Sequence, residues 1–356
     1  MTTLTTSLKS RWDTLLAEKP KLRIRNAAQE LGVSELELLT CGQPSDEVIR
    51  LDYDLQPMMK DMEALGDLMA LTRNEHVVHE RKGTYSNFSQ PSPHVALFVN
   101  PEIDLRVFPG PWKHAYAVLV PSRGKVRRSI QFFSKWGEAV HKVYLQDQDK
   151  VEAYDAFVAK YRSADQIPVT QVEPEPKPKM RAVEGIVDVK GFQQSWVNLQ
   201  DTHDFFPLMA KHRLTRLQAL ELAPKPAADS FFPHHAVQVN ASVVRSMFEA
   251  VRDTDTHIMV FVGNAGMIQI HTGEIRNLVD YGSWFNVMDK RFNLHLDMDA
   301  LAQCWLVFKP TKDGVVSSLE VFDHDENMLV QVFGKRKPGI AELPEWREIV
   351  TQHLPA

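Results

Sequence analysis

Four stretches of this chain gather side chains that could do chemistry. His76-Val-Val-His79-Glu80 sets two imidazoles beside a carboxylate, the inventory of a metal site. The zinc motif HExxH sits on a helix, where residues four apart share a face; here the surroundings read as strand, so His76 and His79 point to opposite faces. Two sheet histidines are therefore expected in place of a shared ligand set. Arg123-Gly-Lys-Val-Arg-Arg128 is the densest basic cluster and falls on a predicted hairpin turn, suited to solvent or to an anionic contact. Arg25-Asn-Ala-Ala-Gln-Glu-Leu-Gly-Val-Ser-Glu resembles the corner of a helix-turn-helix. Its second helix opens with Glu35 and Glu37, which phosphate would repel, so a helical hairpin packed on the core is expected.

The fourth stretch is Trp196-Val-Asn-Leu-Gln-Asp-Thr-His-Asp-Phe-Phe-Pro-Leu-Met-Ala. It sets His203 among Phe205, Phe206, Leu208 and Met209, an imidazole beside an aromatic and thioether lining. Haem iron accepts a neutral imidazole in an apolar pocket as its axial ligand. On the residues alone, a structural histidine beside an apolar helix face is the commoner case. Pro207 adds a constraint. It lacks the N–H that would bond back to His203, so the helix either starts later than Thr202 or kinks.

Bulk properties bound the alternatives. A net charge of −5 gives no general attraction to nucleic acid or anionic membrane, which argues against a nucleic-acid partner. Cys41 and Cys304 form no CxxC and fit reduced thiols of a cytoplasmic protein. No apolar run reaches the length of a membrane span and the N-terminus lacks a signal-like apolar stretch, so no membrane insertion is expected.

The elements that must position these residues follow one pattern written twice. Met69, Asn74 and Gly83 align with Met259, Asn264 and Gly273, and Tyr116-Ala-Val-Leu-Val-Pro-Ser aligns with Trp305-Leu-Val-Phe-Lys-Pro-Thr. Few identities survive, but size, polarity and alternation do. In each half a helical stretch precedes a run of period two broken by turn residues, an antiparallel meander. Helices are expected over most of 7–68, at about 149–162, over most of 191–250, and at Glu342–His353. The predicted fold is α+β: a tandem repeat in which each half is a large antiparallel sheet covered by helices. Residues 1–165 form the N-terminal repeat and 183–356 the C-terminal repeat. The Pro-rich, charged stretch 166–182 is an extended linker that cannot pack.

Several short motifs, in order, resemble the HemS/ChuS/PhuS family of bacterial cytoplasmic haem-trafficking and haemin-degrading proteins. They are Thr72-Arg-Asn74, Val78-His-Glu80, Asp104-Leu-Arg-Val-Phe108, Arg128-Ser-Ile-Gln-Phe-Phe133, Asp201-Thr-His-Asp-Phe-Phe206, Leu214-Thr-Arg216, Lys309-Pro-Thr-Lys-Asp-Gly314 and Trp346-Arg347. The resemblance spans nearly the whole chain. It implies one haem b in a cleft between the halves, held by helices of the second half. It makes His203 the axial iron ligand and Arg106 the distal arginine, catalytic if the protein is an enzyme, with Phe108 beside it. It places Phe206, Arg216, Lys309, Phe333 and Arg336 about the pocket; Phe333 stands where some members carry tyrosine. Cationic side chains suit the haem propionates.

Two functions are compatible with this resemblance. One is a cytoplasmic carrier that receives haem from an inner-membrane importer and passes it to a haem oxygenase or a store. The other is an enzyme that opens the macrocycle; the sequence has no flavin or nicotinamide fingerprint, so an external electron donor such as a partner reductase would be needed. A nucleic-acid-binding regulator ranks last. A second haem near His76 or His79 stays open.

Overall fold

Four helix starts in this chain are set by side-chain caps, and these caps recur in pairs. In a computed structural model, which describes residues 7–355 apart from 44, 46, 123, 178–179, 183–184, 186 and 338, Ser7 accepts from the Ser10 N–H to open Leu8–Glu18. Asp188 accepts from the Gly191 N–H to open Val189–Val197. A Ser34/Glu37 capping box precedes Glu35–Thr40, and a Thr215/Gln218 box precedes Arg216–Glu221. Just upstream, Gly32 (φ 67°) and Arg213 (φ 58°) turn the chain through the left-handed region. Each pair is separated by 181 positions, so the helical part of the repeat is duplicated too, although almost no identity marks it.

The strands form two nine-stranded antiparallel sheets. One runs Val48–Leu51, Trp112–Ser122, Lys125–Ser134, Ala139–Leu145, Leu68–Arg73, Val77–Gly83, Phe292–Asp297, Trp284–Met288, Leu278–Tyr281. The other runs Ala236–Val239, Gln303–Thr311, Gly314–Phe322, Met328–Gly334, Ile258–Asn264, Met267–Gly273, Asp104–Val107, Val95–Val99, Phe88–Ser92. Each sheet therefore draws strands from both sequence halves. Val48–Leu51 and Ala236–Val239 fall in stretches that the sequence reads as helical. Both are too short to show a period, and they become strands by pairing with the long edges Trp112–Ser122 and Gln303–Thr311. The other expected helices appear with shifted ends, Val151–Tyr161 and Pro344–Gln352 shorter than expected and Ser242–Asp253 running past 250.

The chain packs as two units, the first comprising Met1–Arg73, Glu80–Pro176 and Asn264–Gln269, the second Asn74–His79, Lys177–Gly263 and Ile270–Ala356. In the first unit, Ala70, Ala117, Ile130, Phe132 and Val143 pack against Ala96, Phe98, Leu105 and Val107, with Met58, Met59 and Phe157 of the helices closing the layer. In the second, Val260, Leu306, Phe308, Leu319 and Val332 meet Phe285, Val287, Phe292 and Leu294, closed by Met247, Phe248 and Trp346. A fully buried side chain of this size stabilises by roughly 1.5–3 kcal/mol, so these layers dominate folding.

Two asparagines anchor the hairpin tips that complete each unit. The Asn74 amide donates to the carbonyls of Leu329 (2.7 Å) and Gly263 (3.4 Å) in the second unit. The Asn264 amide donates to those of Val140 (2.8 Å) and Arg73 (3.0 Å) in the first. These are the same bonds, one repeat apart. Gly266 belongs to the second tip, and a Cβ there would come within 2.6 Å of the Trp112 indole nitrogen, which itself donates to the Gly266 carbonyl at 2.8 Å. Only glycine permits that approach.

The described residues of the Pro-rich stretch form no helix or strand, and its first part packs. Val169 is buried; its N–H donates to Thr40 Oγ1 (3.0 Å), and the Glu173 N–H donates to the Lys135 carbonyl (3.0 Å). Proline richness removes donors and helix, but the remaining N–H groups can still bind a neighbouring surface.

Candidate ligand site

His203 stands in a 3₁₀ turn, Thr202–Asp204, between two helices that hold it from either side. Upstream, Trp196 is fully buried and its indole N–H donates to the Phe308 carbonyl at 3.2 Å. Downstream, the helix Phe205–Lys211 buries Phe205, Leu208 and Met209, and the Phe205 ring meets Trp196 edge-on at 4.6 Å. The helix starts after His203, so Pro207 occupies its third position, where the N–H has no intrahelical acceptor in any case. The proline therefore costs no bond, and no kink is needed.

Asp201 fixes the orientation of the histidine. One carboxylate oxygen, Oδ1, accepts the His203 backbone N–H at 2.8 Å and Nδ1 of the ring at 2.6 Å. The Asp201 carboxyl lies below the usual carboxylate range: the His203 backbone N–H lowers it, burial opposes, and the imidazole and the Arg336 charge add to the lowering. A carboxylate can only accept, so Nδ1 carries a proton, and the tautomer this selects has its lone pair on Nε2. The imidazole is 85% exposed. Phe206, on the outward side of the same helix start, is 74% exposed.

The sheet beneath this turn is built by alternation. Strand register puts Trp305, Val307 and Lys309, then Ser318 and Glu320, then Gln331 and Phe333, then Met259 and Phe261 on one face. Helices cover Trp305 and Val307 in a separate apolar cluster with Phe192, Trp196 and Phe205. Met259, Phe261, Gln331 and Phe333 stay half-buried, and the Phe261 and Phe333 rings meet edge-on at 5.2 Å.

Between the covered and open parts lies a buried ionic group. Glu320 accepts a two-pronged guanidinium bond from Arg216 (Nε 2.6 Å, Nη2 2.7 Å) and a third from Lys309 Nζ at 2.8 Å. Burial opposes ionisation of Glu320, but Arg216 and then Lys309 outweigh it and hold the carboxyl far below its ordinary value. Burial pushes the Lys309 ammonium down to about 8 against the attraction of Glu320. Both cations also lie over the Phe205 ring, Lys309 at 4.7 Å and Arg216 at 5.3 Å. Lys309 is buried within this group, whereas Arg216 keeps 21% of its side chain open. Arg336 is half-buried, 3.6 Å from the Asp313 carboxylate.

The second unit thus collects His203, Phe206, Arg216, Lys309, Phe333 and Arg336. Arg106 and Phe108 lie in the first unit. There the Arg106 guanidinium is ion-paired with Asp104, two residues before it on the same strand face, and half-buried Phe108 donates its N–H to the Gly266 carbonyl at 2.9 Å. The sequence reading gives Asp201, Glu320, Met259 and Phe261 no place at the site. Asp201 had a legible signal, an N-cap residue two places before the histidine. Glu320 had none, since nothing local pairs a strand glutamate with residues 104 positions and 11 positions away.

The other clusters resolve into local structure. His79 is buried 5.0 Å from the Phe292 ring, and half-exposed His76 lies 3.9 Å from Asp297. Among the described residues no group of three or more His, Cys, Asp or Glu side chains could hold a metal ion. The helix Glu35–Thr40 buries five of its six residues, Glu35 among them, ion-paired with Lys142. In the basic turn, Arg123 lies outside the described residues, Arg127 rests 5.4 Å from the Tyr144 ring, and Arg128 is 4.0 Å from Asp155. No helix among the described residues is long and apolar enough to cross a membrane. Cys41 and Cys304 are free thiols.

The chain is similar to known proteins over nearly its whole length. A family model described as the haemin-degrading HemS/ChuX domain matches residues 32–161 and again 213–353, one match per repeat. The hemin transport protein HmuS of Yersinia pestis is 36% identical over 337 residues, 94% of each chain. Holo-PhuS, a heme-binding protein from Pseudomonas aeruginosa, superposes with a TM-score of 0.90 at 41% identity, covering 96% of this chain and 97% of that one. The heme degrading enzyme ChuS of Escherichia coli O157:H7 superposes with a TM-score of 0.87 at 31% identity, covering 98% and 99%.

Proposed function

This chain belongs to the haemin-degrading HemS/ChuX family, and from that premise we propose that it binds one haem b through its second unit, with His203 Nε2 as the axial iron ligand. In this reading the protein works in the cytoplasm as the carrier of a haem uptake system, taking haem from an inner-membrane importer and delivering it for iron release. One observation supports the ligand assignment above the rest. An imidazole 85% exposed, with Nδ1 engaged by Asp201, leaves a basic Nε2 beside a phenyl ring 74% exposed. An exposed aromatic of that size gains nothing for folding and suits an apolar macrocycle face.

The neighbouring residues fit such a guest. Met259, Phe261 and Phe333 offer a half-open apolar floor. Arg216 and Arg336 are the cations with side-chain surface left open to meet propionates. Lys309 acts one layer down, holding Glu320 and the Phe205 ring. When bound, haem iron would supply Lewis acidity and redox chemistry; the chain contributes the imidazole, the apolar walls and the charge balance.

Haemin titration of the purified chain beside His203→Ala tests the assignment. A stoichiometric Soret band that weakens or shifts in the variant is expected; identical spectra would remove His203 as ligand. Degradation of haem is the second reading, favoured by the likeness to ChuS. With reductant and catalase present, a persisting Soret band supports the carrier. Catalase-insensitive loss with a biliverdin-like product supports the enzyme.

A further inference from the structure

The residue that orients His203 is not itself part of any site assigned above, and its geometry carries a further role. We infer that Asp201 is a positioning residue that makes His203 a strong, anion-supported donor to iron and so biases the bound haem toward the ferric state. The inference rests on the proposed ligation by His203.

Three observations support it. Asp201 Oδ1 accepts from both the backbone N–H and Nδ1 of the same residue, at 2.8 and 2.6 Å. That double attachment fixes the tautomer and the ring direction together, on a side chain that is otherwise exposed and free to rotate. A carboxylate accepting the Nδ1–H raises the basicity of the opposite nitrogen, which strengthens its bond to a ferric centre more than to a ferrous one. The third is position in the repeat: at the 181-position spacing that matches both caps and both left-handed turns, the first unit has Pro20 for Asp201, Leu22 for His203 and no 3₁₀ turn, so acid, imidazole and turn belong together to the second unit.

The test uses the full chain reconstituted with haemin, in the parent and in Asp201→Asn, Asp201→Ser and His203→Ala. Asparagine keeps an oxygen for the His203 N–H but removes the charge; serine can cap the turn but is too short to hold the ring. Far-ultraviolet dichroism and melting confirm that both fold like the parent. The readouts are ferric haem affinity, the ferric/ferrous reduction potential, and the iron–imidazole stretching frequency of the ferrous protein by resonance Raman. Both Asp201 variants are expected to bind ferric haem about 10-fold or more weakly, to show a higher potential and to lower the stretching frequency. An unchanged potential and frequency in Asp201→Asn and Asp201→Ser, with His203→Ala still losing the band, overturns the inference and leaves the ligand assignment standing. A parent-like spectrum in His203→Ala overturns both.

Discussion

Replacing Glu320 with glutamine removes the one negative charge that buried Lys309 and partly open Arg216 share. The fully buried carboxylate makes three charge-assisted bonds, two to Arg216 and one to Lys309. Glutamine offers one oxygen and turns its amide nitrogen, a donor, toward groups that only donate. Removing one partner from a buried ionic group costs about 3–5 kcal/mol, and Glu320→Gln should fall in that range. Lys309→Met should cost about 1 kcal/mol or less, because it removes a desolvated ammonium and leaves the Glu320–Arg216 fork intact. Arg216→Met should lie between, at about 2 kcal/mol, since two bonds are lost but Lys309 still pairs with the carboxylate. Urea unfolding at pH 7, followed by fluorescence and fitted with a common slope, gives the three values. A Lys309→Met loss equal to that of Glu320→Gln, or a Glu320→Gln midpoint close to the parent, would refute the reasoning that Glu320 is the shared counter-charge.

Further outcomes follow from the same geometry. Because the Glu320 carboxyl is held well below its unfolded value near 4.5, its contribution is complete above that pH and is lost as pH falls below it; an acid unfolding series should show a shallower loss in Glu320→Gln than in the parent. Phe206→Ser should leave urea stability within about 0.5 kcal/mol, since the ring is exposed, while weakening haemin binding in a fluorescence-quenching titration. Asn74→Ala and Asn264→Ala each delete two amide bonds to carbonyls and should each cost about 2 kcal/mol; a large difference between them in denaturant midpoints would contradict the equivalence of the two tips. Pro207→Ala should change the melting temperature little, because position three of the helix has no donor bond to restore.

The repeat, the α+β class and the His203 segment were legible in the chain because each leaves a local trace. Period-two runs write strands, Pro and Gly write turns, and Asp201-Thr-His-Asp-Phe-Phe sets a histidine beside an apolar helix start. Two short strands escaped because four residues cannot display a period, and only an edge in the folded chain makes them strands. The helical half of the repeat escaped as well: its spacing of 181 is carried by caps and left-handed turns, in which serine can stand for threonine and glycine for arginine.

What the sequence by itself determined is therefore most of the elements and the type of chemistry: an imidazole, apolar neighbours and scattered cations. What only the tertiary structure decided is how those cations are employed. Arg216 and Lys309 read alike as positive charges, yet burial and Glu320 turn Lys309 into internal support and leave Arg216 partly open. The same holds at the His203 turn, where the engagement of Nδ1 by Asp201 is a hydrogen bond that sequence spacing permits and the folded turn imposes. Local patterns record periodicity and propensity; pairing of charges across 104 residues depends on register and burial, which exist only once the sheet has formed.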